Sequence, residues 1–126
     1  MIGIKEFNRI VSDLLDEFPE EFFRELSGGV IVSEATLIPD YARSNDLYTM
    51  GQYQEFSGVR QIVVFNGSFD RVFPRAEEFE ARELLRGILR HEFRHHLENL
   101  GGIHNSSSLE AEDEREKQIY LSMHTE

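Results

Sequence analysis

Residues 75–100 read RAEEFEARELLRGILRHEFRHHLENL, and this segment organises the rest of the chain. Pro74 precedes it, several glutamates stand in its first turns, and Gly101-Gly102 follows it. Acidic side chains favour the positive end of a helix dipole, and glycine commonly ends a helix. The pattern therefore predicts one long helix from Arg75 to Leu100.

Within this helix the sequence runs His91-Glu92-Phe93-Arg94-His95, which is an H-E-x-x-H motif. Residues four apart lie one turn apart on the same helix face, so both imidazoles can reach one ion. Zinc accepts neutral imidazole nitrogen at tetrahedral geometry. Glu92 lies about 100° further round the helix, where it can take a proton from a water on the metal. The motif predicts Zn²⁺ bound by His91 and His95, with Glu92 as the catalytic general base.

The residues that precede the motif indicate which way its histidines face. Large aliphatic residues recur before the motif, and we expect both histidines to continue their face into the domain interior. These aliphatic residues are Leu84, Leu85, Ile88 and Leu89. Arginines recur every four residues on the other side and predict a solvated stripe: Arg82, Arg86, Arg90 and Arg94. Gly87 is interpreted as a point where a strand approaches the helix closely.

A chance match is the alternative interpretation, because the motif fixes only three positions. In that case both histidines would be ordinary residues of an interior helix, satisfied by hydrogen bonds. We favour metal binding because two imidazoles and a carboxylate on the buried side of a helix need a partner, which a metal ion supplies.

The other segments predict a small sheet between helices. Helical spacing of apolar residues predicts a first helix from Ile4 to Phe18 and a short second helix from Pro19 to Leu26. A last helix is predicted from Ser108 to Ser122. Asn66-Gly67 predicts a turn. The predicted strands are Val30–Ile38, Leu47–Gln54 and Arg60–Asn66. This order predicts one α+β domain over residues 1–126, a small twisted sheet packed on the long helix.

Charge and composition exclude several classes of partner. The chain has 126 residues, a net charge of −11 and no cysteine. An acidic surface repels phosphate groups, so we expect neither nucleic acid nor an anionic membrane as a partner. The absence of cysteine excludes thiolate ligands and disulfide bonds. Neither a signal peptide nor a transmembrane span is recognised, which predicts a cytoplasmic protein.

With these motifs in order, the chain resembles the small bacterial zincin-like metallopeptidases, which have a matrix-metalloprotease-like core. The resemblance covers nearly the whole chain and implies a zincin fold, zinc and peptidase activity on a peptide or protein substrate that it does not identify. It rests on Phe18-Pro19-Glu20-Glu21-Phe22, Gly29-Val30-Ile31-Val32, the segment from Tyr48 to Tyr53, Ile62-Val63-Val64-Phe65-Asn66-Gly67, and His91-Glu92-Phe93-Arg94-His95-His96.

The chain departs from that family where the third metal ligand is expected. The family reads H-E-x-x-H-x-x-G-x-x-D, whereas Glu98 and Gly101 stand here at the glycine and aspartate positions. His104 is the first candidate, because the Gly-Gly turn lets the chain fold back. Glu110 or Asp113 on the last helix comes second, and Glu98 on the long helix third. A site without a third protein ligand is the remaining alternative.

Three further side chains near the motif have assigned roles. His96 lies about 140° round the helix from His91 and is predicted to be a packed histidine. Tyr53 and Tyr120 are candidate oxyanion partners, with a buried tyrosine as the simpler interpretation of each.

The motif and the resemblance together lead us to expect a zinc-dependent metallopeptidase, in which an exposed strand edge holds an extended peptide. The alternative is a binding or regulatory protein that keeps zinc on a zincin scaffold without turnover.

Overall fold

In the described part of the chain, a three-stranded sheet combines with four α-helices, which confirms the predicted α+β class. The computed structural model describes residues 1–42, 47–102 and 109–123, with side chains from residue 111 onward in the last range. The α-helices are α1 (Ile4–Leu15), α2 (Asn66–Val72), α3 (Glu78–Gly101) and α4 (Leu109–Met123). The strands are β1 (Gly29–Ser33), β2 (Gly51–Phe56) and β3 (Val59–Phe65), and Glu20–Phe23 is a 3-10 helical turn.

The sheet has the order β1-β3-β2, which leaves β2 at an edge. β1 pairs parallel with β3, and β2 pairs antiparallel with it. Ser57 and Gly58 connect β2 to β3, both with positive φ, which is the conformation that two-residue hairpins favour. The predicted strand Arg60–Asn66 is confirmed within one residue at each end. The other two predicted strands are shorter or shifted, since β1 ends at Ser33 and β2 begins at Gly51.

The core lies between α1, α3 and the central strand. α1 contributes Phe7, Ile10 and Leu14, which are completely buried, and β3 contributes Ile62 and Val64. From α3, Ala81, Leu85, Leu89 and Phe93 complete the cluster. Burying each large side chain stabilises the fold by about 1.5–3 kcal/mol, so this cluster fixes the long helix against the sheet.

The prediction of a turn at Asn66-Gly67 is wrong, because α2 begins at Asn66. Phe69 of α2 is completely buried and packs edge-on against Phe7 at 5.5 Å between ring centroids. Any Cβ at Gly67 would lie 2.6 Å from the carbonyl oxygen of Glu34. Glycine at position 67 therefore allows α2 to pack closely against the segment after β1. Turn preferences, which depend only on neighbouring residues, cannot predict this contact.

The long helix is confirmed with slightly different ends. α3 begins at Glu78 and ends at Gly101, and Gly102 adopts the left-handed conformation with φ of 68°. The Gly102 N–H then donates to the carbonyl oxygens of Glu98 and Asn99. Among the helices of the described ranges, none has the length and apolar character needed to cross a membrane.

Candidate metal centre

Two histidines of α3 and one aspartate of α4 converge at one point. Asp113 Oδ2 lies 2.6 Å from His95 Nε2 and 3.4 Å from His91 Nε2. One ligand atom from each residue lies within 4.8 Å of the other two. The histidines share a helix face as the four-residue spacing predicts, and their ring centroids are 5.1 Å apart. Packing of α4 against α3 supplies the carboxylate.

These three residues fit a zinc ion in both geometry and chemistry. Zinc–ligand bonds of about 2.0–2.2 Å place neighbouring tetrahedral ligands roughly 3.3–3.5 Å apart. The separation between His91 Nε2 and Asp113 Oδ2 already has this size. The His95–Asp113 pair makes a direct hydrogen bond, so a shift below about 1 Å would admit an ion. Two imidazoles and a carboxylate are a donor set of catalytic zinc sites.

The general-base candidate Glu92 lies beside these ligands and is buried. Only 5% of its surface is exposed. Burial and, second, the negative charge of Asp113 raise the pKa of Glu92 from its ordinary value of 4.5 to about 8. The backbone N–H of Tyr53 donates to the carboxylate and opposes this rise. The edge strand β2 therefore holds the carboxylate of Glu92 in place.

The close approach of strand and helix occurs at Gly51 of β2, and its assignment to Gly87 is wrong. A Cβ at Gly87 would have no neighbour within 4 Å. A Cβ at Gly51 would instead lie 2.8 Å from Ile88 Cγ2 and 3.1 Å from Glu92 Oε2. Glycine at position 51 thus lets β2 reach the Glu92 side chain. No local pattern in the sequence signals this role.

The prediction that both histidines point into the domain interior is wrong. The buried face of α3 continues through Glu92, Phe93 and His96. His91 and His95 lie at its border, with side chains 41% and 23% exposed. The sheet and α1 cover the Leu85–Leu89 face, and a rotation of about 100° separates His91 from Glu92. The partial exposure of both imidazoles leaves the candidate metal centre accessible from solvent.

The third-ligand candidates have different outcomes. Asp113, ranked second with Glu110, is the residue that the structure brings to the two histidines. His104, ranked first, and the side chain of Glu110 lie outside the described residues. Glu98 instead accepts a hydrogen bond from Arg94 Nε at 3.0 Å and does not join the cluster.

His96 is a packed histidine, as predicted. It is completely buried, and its Nε2 lies 2.7 Å from the carbonyl oxygen of Arg24. Because a carbonyl oxygen only accepts, Nε2 carries the proton, and Nδ1 accepts from the Tyr53 hydroxyl at 2.8 Å. Asn99 Nδ2 donates to the same hydroxyl at 3.3 Å. The Tyr53 hydroxyl is therefore engaged by His96 and Asn99, whereas its backbone N–H faces the site.

Two adjoining cavities open at the ligands. The first, of about 220 Å³, is lined by Gly51, Gln52, Tyr53, Glu92 and the three candidate ligands. The second, of about 310 Å³, shares His91 and Asp113 and is walled by Tyr41, Leu47, Glu116, Lys117 and Tyr120. The rings of Tyr41 and Tyr120 meet edge to face at 5.8 Å, which places Tyr120 in this wall.

Comparisons with known proteins support the fold and leave the activity open. No protein-family model matches the chain, and no curated protein matches it. Among solved structures, the chain is similar to a conserved hypothetical protein from Thermus thermophilus, with 28% identity and a TM-score of 0.67. The match covers 79% of this chain and 98% of that protein. The α+β architecture is thus found in a solved structure of similar sequence.

Proposed function

We propose that this protein is a zinc-dependent metallopeptidase of the zincin type, in which His91, His95 and Asp113 bind the metal and Glu92 is the general base. The observation that carries the proposal is the convergence of these three ligands beside a buried glutamate. Three protein ligands leave one tetrahedral position for water or substrate, as in catalytic zinc sites. The cysteine-free composition is compatible with the reducing cytoplasm, the compartment that we propose.

Glu92 performs the proton transfers of the proposed reaction. Bound zinc would polarise the scissile carbonyl and acidify the attacking water. The Glu92 carboxylate takes the proton of that water and passes it to the nitrogen of the leaving amine. The N–H of Tyr53 orients the carboxylate for both transfers. The pKa of about 8 belongs to the metal-free chain, and a cation on the three ligands favours the carboxylate form.

The edge strand β2 supports a peptide as the substrate. β2 pairs with β3 on one side only, and its residues Gly51, Gln52 and Tyr53 border the ligand cavity. An extended peptide that adds to this edge makes main-chain hydrogen bonds and passes along the three ligands. Such binding is largely independent of side-chain identity at most positions, so we propose an extended, unfolded segment as the substrate.

The experiment that tests the function compares wild type with Glu92→Gln on a library of extended peptides. Glutamine has nearly the same shape, so zinc content and thermal stability in zinc should remain, whereas cleavage should fall by about 10² to 10⁴. Glu98→Gln is the matched control, because Glu98 lies on the same helix and outside the ligand cluster. Equal cleavage by wild type and Glu92→Gln would exclude Glu92 as the base.

The alternative function is a zinc-dependent binding protein without turnover. The observation in its favour is the modest size of each cavity at the candidate ligands, since about 220 Å³ lies below the roughly 300 Å³ at which typical ligand sites begin and about 310 Å³ only just reaches it. A fourth protein ligand would close the site, and His104 is the residue to test. Wild type that binds zinc, cleaves no peptide and loses zinc affinity on His104→Ala would support this alternative over the enzyme.

A further inference from the structure

A third and larger cavity lies on α3, away from the candidate metal centre. This groove, of about 570 Å³, shares no lining residue with the ligand cavities. Its volume falls within the range of roughly 300–1,000 Å³ that small-molecule sites occupy. The segment after α1 supplies the floor of this cavity, with Phe18, Pro19 and Phe22, and α3 supplies the side. We call it the arginine groove.

The floor of the arginine groove is apolar and supported from beneath. The rings of Phe18 and Phe22 are half-buried and pack on completely buried Phe93, at 4.8 and 5.8 Å between centroids. Pro19, with φ of −58°, fixes the backbone between these two phenylalanines. Leu97 adds an aliphatic side chain from α3. Because the floor is anchored in the core, it is already shaped for an apolar ligand.

Three arginines, at positions 86, 90 and 94, form the α3 side of the groove. The Arg86 guanidinium is held by Glu17 and Glu83, and that of Arg94 by Glu98. Arg90, one turn from each, is exposed and has neither an ion pair nor a hydrogen bond with any part of the chain that the structure describes. Glu17 and Glu98 also line the groove, and the charge of Arg90 helps to lower the pKa of Glu17. The three arginines outnumber these two carboxylates, so the groove carries a net positive charge in a chain whose net charge is −11.

We propose that the arginine groove binds an amphipathic monocarboxylate, a molecule with an aliphatic or aromatic body and one terminal carboxylate. The apolar body lies on Phe18, Phe22 and Leu97, and the carboxylate pairs with the guanidinium of Arg90. A guanidinium and a carboxylate match in a two-point hydrogen-bonded pair. The acidic surface elsewhere repels such an anion, which directs it to this groove. The site stands independently of the proposed peptidase activity.

The test is calorimetric titration of the full chain with decanoate below its micelle concentration. We expect saturable binding of one decanoate per chain, with decanol at least about fivefold weaker because it lacks the charge. Arg90→Gln should weaken decanoate by roughly fivefold and leave decanol unchanged. Arg71→Gln, which removes an exposed arginine outside the groove, is the control for net charge and should change neither.

A second arm separates the groove from the metal centre, where a carboxylate could also bind. The double variant His91→Ala/His95→Ala should bind decanoate as wild type does. Loss of binding in that variant would place the anion on the metal and overturn the proposal. Absence of saturable binding by wild type, or equal weakening by Arg90→Gln and Arg71→Gln, would overturn it as well. A dimer in sedimentation at the same concentration that Arg90→Gln dissociates would place a second copy in the groove and would also count against the proposal.

Discussion

The Tyr53 hydroxyl donates a 2.8 Å hydrogen bond to Nδ1 of His96, which is completely buried on α3. The same tyrosine offers its backbone N–H to Glu92. One residue of the edge strand β2 therefore contacts two neighbouring turns of α3 through different groups. Its side chain serves the fold, and its backbone serves the candidate site.

Tyr53→Phe should separate these two contributions. The variant leaves the buried Nδ1 of His96 without a donor, which costs about 1–3 kcal/mol of unfolding free energy in denaturant titrations. Zinc affinity should remain, because the backbone N–H that holds Glu92 is unchanged. Tyr41→Phe, whose ring contact with Tyr120 survives, is the control and should be near neutral. A neutral Tyr53→Phe would show that the hydroxyl contributes nothing to stability.

The third ligand is tested by zinc affinity. Asp113→Asn should weaken zinc binding by more than about 100-fold, because changes to groups that merely support ligands already cost 10- to 100-fold. Glu98→Gln should leave it unchanged, since Arg94 holds Glu98 outside the cluster. Competition with a chromophoric chelator measures both. A larger loss in Glu98→Gln than in Asp113→Asn would refute the assignment of Asp113.

Removal of metal should lower the melting temperature of wild type and leave that of His91→Ala/His95→Ala unchanged. A ligand that binds only the folded state adds about 4 kcal/mol at a free concentration a thousand times its Kd. Scanning calorimetry with and without chelator provides the measurement. An identical midpoint in wild type that holds zinc would contradict the prediction.

Glu92→Gln should stabilise the metal-free protein at alkaline pH. The folded pKa of Glu92, about 8, exceeds its ordinary value of 4.5, so the folded chain binds the extra proton between these values. Stability from this group is therefore lost as pH rises from about 4.5 to 8. Each pKa unit corresponds to about 1.4 kcal/mol, and we expect at least about 2 kcal/mol in favour of glutamine at pH 9. Similar pH dependence of unfolding for both chelated proteins would refute burial of a titrating Glu92.

Substitution by alanine should change the stability of the fold in opposite directions at Gly51, which packs against α3, and at Gly87, which lies within it. Gly51→Ala places a methyl group against Ile88 and Glu92, and should destabilise the fold by about 1–3 kcal/mol. Gly87→Ala meets nothing within 4 Å in the middle of α3, and should stabilise it by about 0.5–1 kcal/mol. Denaturant midpoints compare the two variants. Destabilisation by both would mean that α3 tolerates no change at Gly87.

The structural features that the sequence predicted correctly depend on patterns among residues that are close together in the chain. Strict helical spacing and the Gly101-Gly102 end predicted α3, and a β-branched run predicted β3. The same spacing predicted that His91 and His95 share a face. These features need no knowledge of which element packs on which, because they follow from the periods of helix and strand.

The features that sequence missed depend on contacts between distant elements. Gly51 and Gly87 look alike in the sequence, and only packing of β2 on Glu92 distinguishes them. The sequence favoured His104 over Asp113 because the Gly101-Gly102 turn lets the chain fold back, and His104 lies outside the described residues. Asp113 reaches His95 only because α4 packs against α3, and this tertiary contact cannot be predicted from local sequence pattern.

The supply of one candidate ligand by α4 has a consequence for the metal affinity that we propose. α4 packs on α3, and Ile119 and Met123 on its outer side remain largely exposed. Any population in which this last helix is undocked lacks a ligand, and the apparent dissociation constant grows by the inverse of the docked fraction. Under the proposed assignment, we therefore expect a substitution that strengthens helix formation on the exposed side of α4 to tighten zinc binding without changing any of the three candidate ligands.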